Sequence, residues 1–302
     1  MKQLPTVINE ILQPLSEELH ERTVTALLPL FSSRLGSKVS ITLPSSGGSW
    51  VEYPVINTLQ LVSPTNGSDL FTNLLYGHDP VYNMTPAGLK ALLQQVPPKH
   101  GILNVRDNLS LNYVGTVMVP YCEWLSQPIN EIEISDSNSF EYSDQTICTS
   151  VFLQDLKSIP NRELLLPRFL IHKQSDSITD IYVDKPKCQT FRLLISQVLE
   201  KLDTLVEPGE YSLDKPAEKE FMEAYITLQK SSYQHSEQYP LYAAFERKCP
   251  RYLAKLTLLF HCLGAIKYPE LKSNEISLAT ILMAKEVLSY YQKQAVDSYE
   301  FV

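Results

Sequence analysis

A nucleotide-hydrolysing loop needs a lysine at the phosphates, a hydroxyl at the metal ion and an acid at the attacking water. One stretch of this 302-residue chain has the surroundings for that chemistry. Residues 55–62 form an apolar run, the turn Ser63-Pro64-Thr65-Asn66-Gly67-Ser68-Asp69 follows, and Leu70, Phe71, Leu74 and Leu75 open a helical apolar pattern. Strand, tight turn and helix in that order is the setting of a phosphate-binding loop, because the N–H groups of a helix N-terminus receive an anion. The cation is missing, since no Lys or Arg occurs from residue 39 to residue 89. Two readings follow: a nucleotide site that has lost its working residues, or an ordinary strand-to-helix turn.

Other residues with chemical potential each carry a plainer reading. Arg168, just before Phe169-Leu170-Ile171-His172-Lys173, reads as a leftover arginine finger or as an arginine pairing with a carboxylate at a strand start. Gln154 ends an apolar run and reads as a sensor or as a satisfied polar strand end. Arg247, Arg251 and Lys255 lie four apart, joined by Lys248, with Tyr242, Phe245 and Tyr252 nearby. If a helix continues across Pro250 they share a face, either a solvated one or one that touches a nucleic-acid backbone. His261 sits inside Leu258-Leu259-Phe260-His261-Cys262-Leu263 and reads as a core histidine rather than a ligand. The six histidines show no metal spacing, and the five cysteines are far apart, so no zinc site or disulfide framework is expected. Residues 46–49 hold serines without a partnered base, a weak basis for a serine nucleophile. Seventeen tyrosines hint at an interaction surface without locating it.

The elements that must position these residues are legible from periodicity. Val7, Ile8, Ile11, Leu12, Leu15 and Leu19 make one helical stripe, and Val24, Leu27, Leu28, Leu30, Phe31 and Leu35 a second, with Gly36 as its stop. Val39, Ile41 and Leu43 alternate as a strand, residues 50–53 read as its partner, and residues 55–62 as a buried central strand. Thr85-Pro86 predicts a helix start, with Leu89, Leu92 and Leu93 on its apolar face. Strands are predicted around residues 101–107, 131–134, 147–153, 169–173 and 178–183. Beyond residue 189 the pattern reads as helical throughout, with helices near 189–206, 215–232, 240–248, 250–265 and 277–298. The break falls at Asp184-Lys185-Pro186-Lys187, dividing an α/β part, 1–184, from an all-helical part, 185–302.

Bulk properties narrow the class. Apolar content of 44% and charged content of 20% suit a soluble globular protein. No apolar run is long enough to span a bilayer and no signal peptide is read at the N-terminus, so a cytoplasmic protein without a membrane partner is expected. The net charge of -8 lies wholly in residues 1–184, which hold 11 Lys/Arg against 19 Asp/Glu, while residues 185–302 hold 15 of each. The half with the candidate loop is acidic, which disfavours general nucleic-acid affinity there.

The order of these motifs resembles the YfjI-like family of P-loop, helicase- or primase-associated proteins of plasmids, prophages and other mobile elements. Arg34-Leu35-Gly36-Ser37-Lys38 is similar to the segment before the family's first core strand, and Thr65-Asn66-Gly67-Ser68-Asp69 lies where the family has its Walker A loop. Ile102-Leu103-Asn104-Val105-Arg106-Asp107-Asn108 occupies the Walker B place, with the 85–93 segment ahead of it. Leu165-Leu166-Pro167-Arg168 resembles a patch after the last core strands, and Lys248, Lys255 and His261 loosely match a basic-basic-His series. The departures from the family pattern are chemical. Ser68 and Asp69 stand near the places of the Walker lysine and hydroxyl. Asp69 puts a negative charge where a triphosphate would sit, and in a first helical turn that carboxylate gains roughly 0.3–1 kcal/mol. Asp107 could hold Mg²⁺, but Asn108 replaces the glutamate that polarises water, and an amide cannot take that proton. The family's long insertion between loop and Walker B strand is also missing.

The resemblance implies a degenerate RecA-like P-loop NTPase core in an α/β fold, with helices at both ends and no ATP or Mg²⁺ as cofactor. Its function would be that of a non-catalytic interaction or scaffold subunit in the nucleic-acid processing of a mobile genetic element or an associated defence system. Other protein subunits are the expected partners, with nucleic acid bound directly or through them. The alternatives are an ATPase completed by residues of a partner subunit, and a DNA- or RNA-binding module using Arg247, Lys248, Arg251 and Lys255.

Overall fold

The computed structural model describes residues 1, 3–45, 48–62, 102–105, 146–152, 156–157, 159, 162–174, 185–268 and 273–299. The expected helix at 85–93 and the strands at 131–134 and 178–183 lie outside these residues.

Helix α1 (Thr6–Leu12) and helix α2 (His20–Leu35) follow the two apolar stripes. Twelve residues of α2 are buried, among them Val24, Leu27, Leu28 and Phe31. A helix buried nearly all round belongs inside a core. Its stop is Gly36, whose φ of 47° is cheap only for a residue without a Cβ.

Among the described residues the strands form two four-stranded sheets. In the first, β1 (Val39–Ser45) pairs antiparallel with β2 (Gly48–Glu52). On the other side of β1 lies β7 (Gly209–Leu213), parallel to it, and β8 (Glu275–Ile276) completes the order β2-β1-β7-β8. The second sheet holds β3 (Thr58–Val62), β4 (Ile102–Val105), β5 (Thr146–Phe152) and β6 (Leu170–Lys173) in the order β4-β5-β3-β6, every pair parallel. The run expected to be a buried central strand is therefore central, flanked by β5 and β6. Helix α2 packs on this sheet.

The C-terminal region contains α3 (Lys185–Leu205), α4 (Lys215–His235), α5 (Pro240–Ala265) and α6 (Leu278–Tyr299). Asp214 caps α4 by accepting from the Ala217 N–H at 2.7 Å, with Pro216 in the first turn.

Two expectations for this region are corrected. It is not all-helical, because β7 and β8 lie between its helices. Each is too short to show a period of its own, and β7 exists because Val39, Ser40 and Ile41 of β1 offer a ladder. Nor does the helix break at Pro250. Helix α5 runs through it, with Cys249, Pro250, Tyr252 and Leu253 all buried, so tertiary packing outweighs a proline penalty of about 3 kcal/mol.

The hydrophobic core also runs across the boundary at residue 184. One cluster contains Ile8, Leu27, Phe31, Ile41, Ile195, Leu253, Leu259 and Tyr291. Among the described residues, no helix is long and apolar enough to cross a membrane.

Candidate functional site

Strand β3 sits where the strand order reverses. The chain passes from β3 to β4, returns to insert β5 between them, and then lays β6 on the far side of β3. Open parallel sheets take ligands beyond the carboxyl ends of strands at such a reversal. The strands leading to residues 63–69 and to Asp107 and Asn108, β3 and β4, run parallel with β5 between them. Thr65, Asn66, Gly67, Ser68, Asp69, Asp107 and Asn108 themselves lie outside the described residues.

Arg168 does not share that edge. It ends the turn Leu166–Arg168 just before β6, and Leu170 is in register with Thr58 at the amino end of β3. At about 3.3 Å per residue, it lies roughly 20 Å from the carboxyl end of β3. Its Nε donates to the Leu164 carbonyl at 3.2 Å, and its charge acts on Tyr252 and Lys255. Arg168 thus precedes the amino end of β6, whereas residues 63–69 follow the carboxyl end of β3 in the sequence.

A polar seam missed in the sequence crosses β3 and β6. Thr58 and Gln60 are buried on β3, His172 on β6 and Gln174 immediately after it. Gln60 is in register with His172, so the period-two alternation of the two strands puts all four side chains on one face of the sheet. The Thr58 hydroxyl and both ends of the Gln60 and Gln174 amides have no hydrogen-bond partner among the described residues. His172 Nδ1 is 2.6 Å from the Tyr290 hydroxyl. Burial, reinforced by the Arg22 guanidinium, pushes the His172 imidazole down to about 4. Each unpaired buried group costs about 1–3 kcal/mol. The signal in the sequence was Gln60, the one long polar side chain late in the run 55–62.

The expected basic stripe turns inward. Of its four cations Arg247 is exposed and Lys248 half-buried, whereas Lys255 is only 2% exposed. Lys255 Nζ donates to the Val55 carbonyl at 2.9 Å and lies 3.9 Å from the buried Glu52 carboxylate. Arg251 Nε reaches the same carboxylate at 3.0 Å. Burial pushes the Glu52 carboxyl up, against the pull of Lys255, Arg251 and Lys248, and pushes the Lys255 ammonium down to about 8, with Glu52 opposing. Lys255 is thus removed from any surface that could meet a phosphate backbone. The spacing of four placed it on the Arg251 side of α5 correctly, but that side faces β2.

His261 is a core histidine, as expected. It donates from Nε2 to the Ser273 carbonyl at 2.8 Å and packs edge-on against Tyr211. Among the described residues there is no group of three His, Cys, Asp or Glu placed to hold a metal ion. Compared with known proteins, the chain matches no family model and no curated sequence.

Proposed function

We propose that the protein is a non-catalytic relative of the P-loop ATPases, built on a RecA-like sheet and acting as an interaction or scaffold subunit in nucleic-acid processing by a mobile element or its defence system. The observation that carries this reading is the place of β3. It is the reversal strand of a sheet whose described pairs are all parallel, and the sequence that follows it is rich in turn-forming residues and contains no cation. The polar seam beside it supplies neutral amides, which can hold a loop or a water but not offset the charge of a triphosphate. The inward turn of Lys255 disfavours a nucleic-acid module based on the 247–255 series.

A thermal-shift titration with ATP and ADP, each with Mg²⁺, tests the reading. The melting temperature stays unchanged, and Asp69→Lys restores no turnover because Asn108 remains. A melting temperature that climbs with MgATP concentration overturns it, because only ligand binding to the folded state produces that response.

A further inference from the structure

Helix α6 covers the outer edge of β6 with two side chains. Among the described residues β6 is an end strand of its sheet. Its N–H groups at Leu170 and Gln174 turn toward β3 and donate to the Asn57 and Leu61 carbonyls at 3.0 and 2.9 Å. The Lys173 N–H turns the other way, and Gln294 Oε1 of α6 accepts from it at 2.8 Å. One turn earlier on the same face of α6, the Tyr290 hydroxyl lies 2.6 Å from His172 Nδ1, and the two rings stack at 6.2 Å and 25°. A side-chain amide thus stands where a neighbouring strand would pair, and a helix placed this way blunts an open sheet edge.

One of the two contacts rests on a group that can change charge. His172 is buried. From β3, the neutral Thr58 and Gln60 share its face of the sheet. From α2, the buried Arg22 guanidinium acts on it, while Thr25 engages the Tyr291 hydroxyl at 2.9 Å. From α6 comes the Tyr290 hydroxyl. Glu21, on α2, bonds that hydroxyl rather than the ring, and it is half-exposed, so water screens its charge. Lys173 points to the opposite face by the alternation of the strand. A second proton on the ring therefore adds a buried cation beside a guanidinium, with no carboxylate recorded against the ring among the described residues. Burial and Arg22 hold the imidazole down to about 4, so it is neutral at pH 7.

The contact can part without undoing the helix. Helix α6 packs mainly against α5, and Leu288, Tyr291, Ala295 and Ser298 are buried, whereas Tyr290 and Gln294 are only half-buried.

We propose that the β6–α6 contact is a proton-operated latch: a proton taken up by His172 parts the ring from Tyr290, frees the Lys173 N–H from Gln294 and uncovers the edge of β6, while α6 stays on α5. The folded-state value is depressed, so the closed latch is favoured fully above about pH 6.5 and loosens as pH falls toward 4.

The test is native-state hydrogen exchange of the full chain by NMR at pH 7 and pH 5, corrected for intrinsic rates. Protection of the Lys173 amide falls about twentyfold between the two. Its exchange does not respond to low urea, whereas the amides of Leu256, Leu258 and Leu259 in α5 exchange faster as urea is added, the mark that separates a local from a global opening. His172→Gln, which keeps a polar side chain without the titration, holds Lys173 protection constant within about twofold. In the wild type, which needs no variant to fold, the His172 ring signals titrate with the same midpoint as the loss of Lys173 protection. Protection at Lys173 that is equal at the two pH values overturns the proposal. So does a fall that His172→Gln shares, or one as urea-dependent as that of α5.

Discussion

Two buried glutamates meet α5, and the molecule treats them differently. Glu52, on β2, is closed in by cations: Arg251 and Lys255 reach it, and Lys255 is fixed from its other side by the Val55 carbonyl. Glu246, on α5 itself, is closed in by hydrogen-bonding side chains, Ser231, His235 and Tyr242. A carboxylate matched by charge cross-links two elements and leaves nothing over. A carboxylate matched by hydroxyls and an imidazole joins elements through hydrogen bonds instead. By this contrast the Glu52 cluster is structural, although Arg251 and Lys255 were two of the candidates for nucleic-acid contact. The Glu246 cluster, unremarked in the sequence, ties the end of α4 to the start of α5.

The largest expected effect separates the two carboxylates. Glu52→Ala leaves Lys255 buried without its counter-ion, which costs about 3–5 kcal/mol in urea denaturation. Glu52→Leu combined with Lys255→Met recovers most of that loss, because a buried pair contributes little beyond an apolar pair of similar volume. Glu246→Ala costs less, about 1–3 kcal/mol, since it abandons hydrogen-bond partners rather than a buried lysine. A larger loss from Glu246→Ala than from Glu52→Ala would reverse the comparison.

The polar seam on β3 and β6 extends it to a histidine with no carboxylate recorded against it among the described residues. The His172 folded-state value of about 4 lies below its ordinary 6.5. A depressed value contributes stability that is complete above about pH 6.5 and is lost as pH falls toward 4. Wild type therefore loses about 3 kcal/mol more than His172→Gln between pH 7 and pH 4, read from paired denaturation curves. Parallel curves for the two proteins would mean that His172 takes up its proton without opening the core.

How much of this could be read beforehand follows from the range of each signal. Gly36, the alternation of Val39, Ile41 and Leu43, and the apolar run ending at Val62 are local, and each marked its element within a few residues. Strand β7 was missed because its ladder partner, β1, lies about 170 residues away and nothing local to Gly209–Leu213 encodes that. Helix α5 was cut at Pro250 because a propensity cannot register the buried contacts on either side of it. The sites divide in the same way. The stripe at 247–255 was visible as a spacing of four, but whether it faces water or β2 depends on Glu52, about 200 residues earlier. The Glu246 cluster joins positions 231, 235 and 246 across a helix-to-helix turn, and no single periodicity spans that turn.

A smaller effect runs in the stabilising direction. Gln60 presents an amide with no partner among the described residues, on the face where α2 packs against the sheet. Gln60→Leu replaces that amide by an apolar group of similar size and raises stability by about 1 kcal/mol or more. Thr58→Val acts in the same direction and by less. A loss of stability in Gln60→Leu would show that the amide has a partner in the folded protein in solution, and the seam would then resemble the satisfied Glu246 cluster.

The smallest effect is expected at Arg247, the exposed member of the basic series. Arg247→Glu changes stability by less than about 0.5 kcal/mol, as for surface positions without special contacts. It also leaves single-strand affinity within about twofold and the salt slope lower by at most about one, since one side chain releases at most one counter-ion. The reason lies in the opening contrast. Lys255 and Arg251 are engaged with Glu52, so Arg247 has few neighbours with which to form a cationic surface. A tenfold loss of affinity in Arg247→Glu would assign nucleic-acid contact to the outer face of α5 despite the engagement of Arg251 and Lys255 with Glu52.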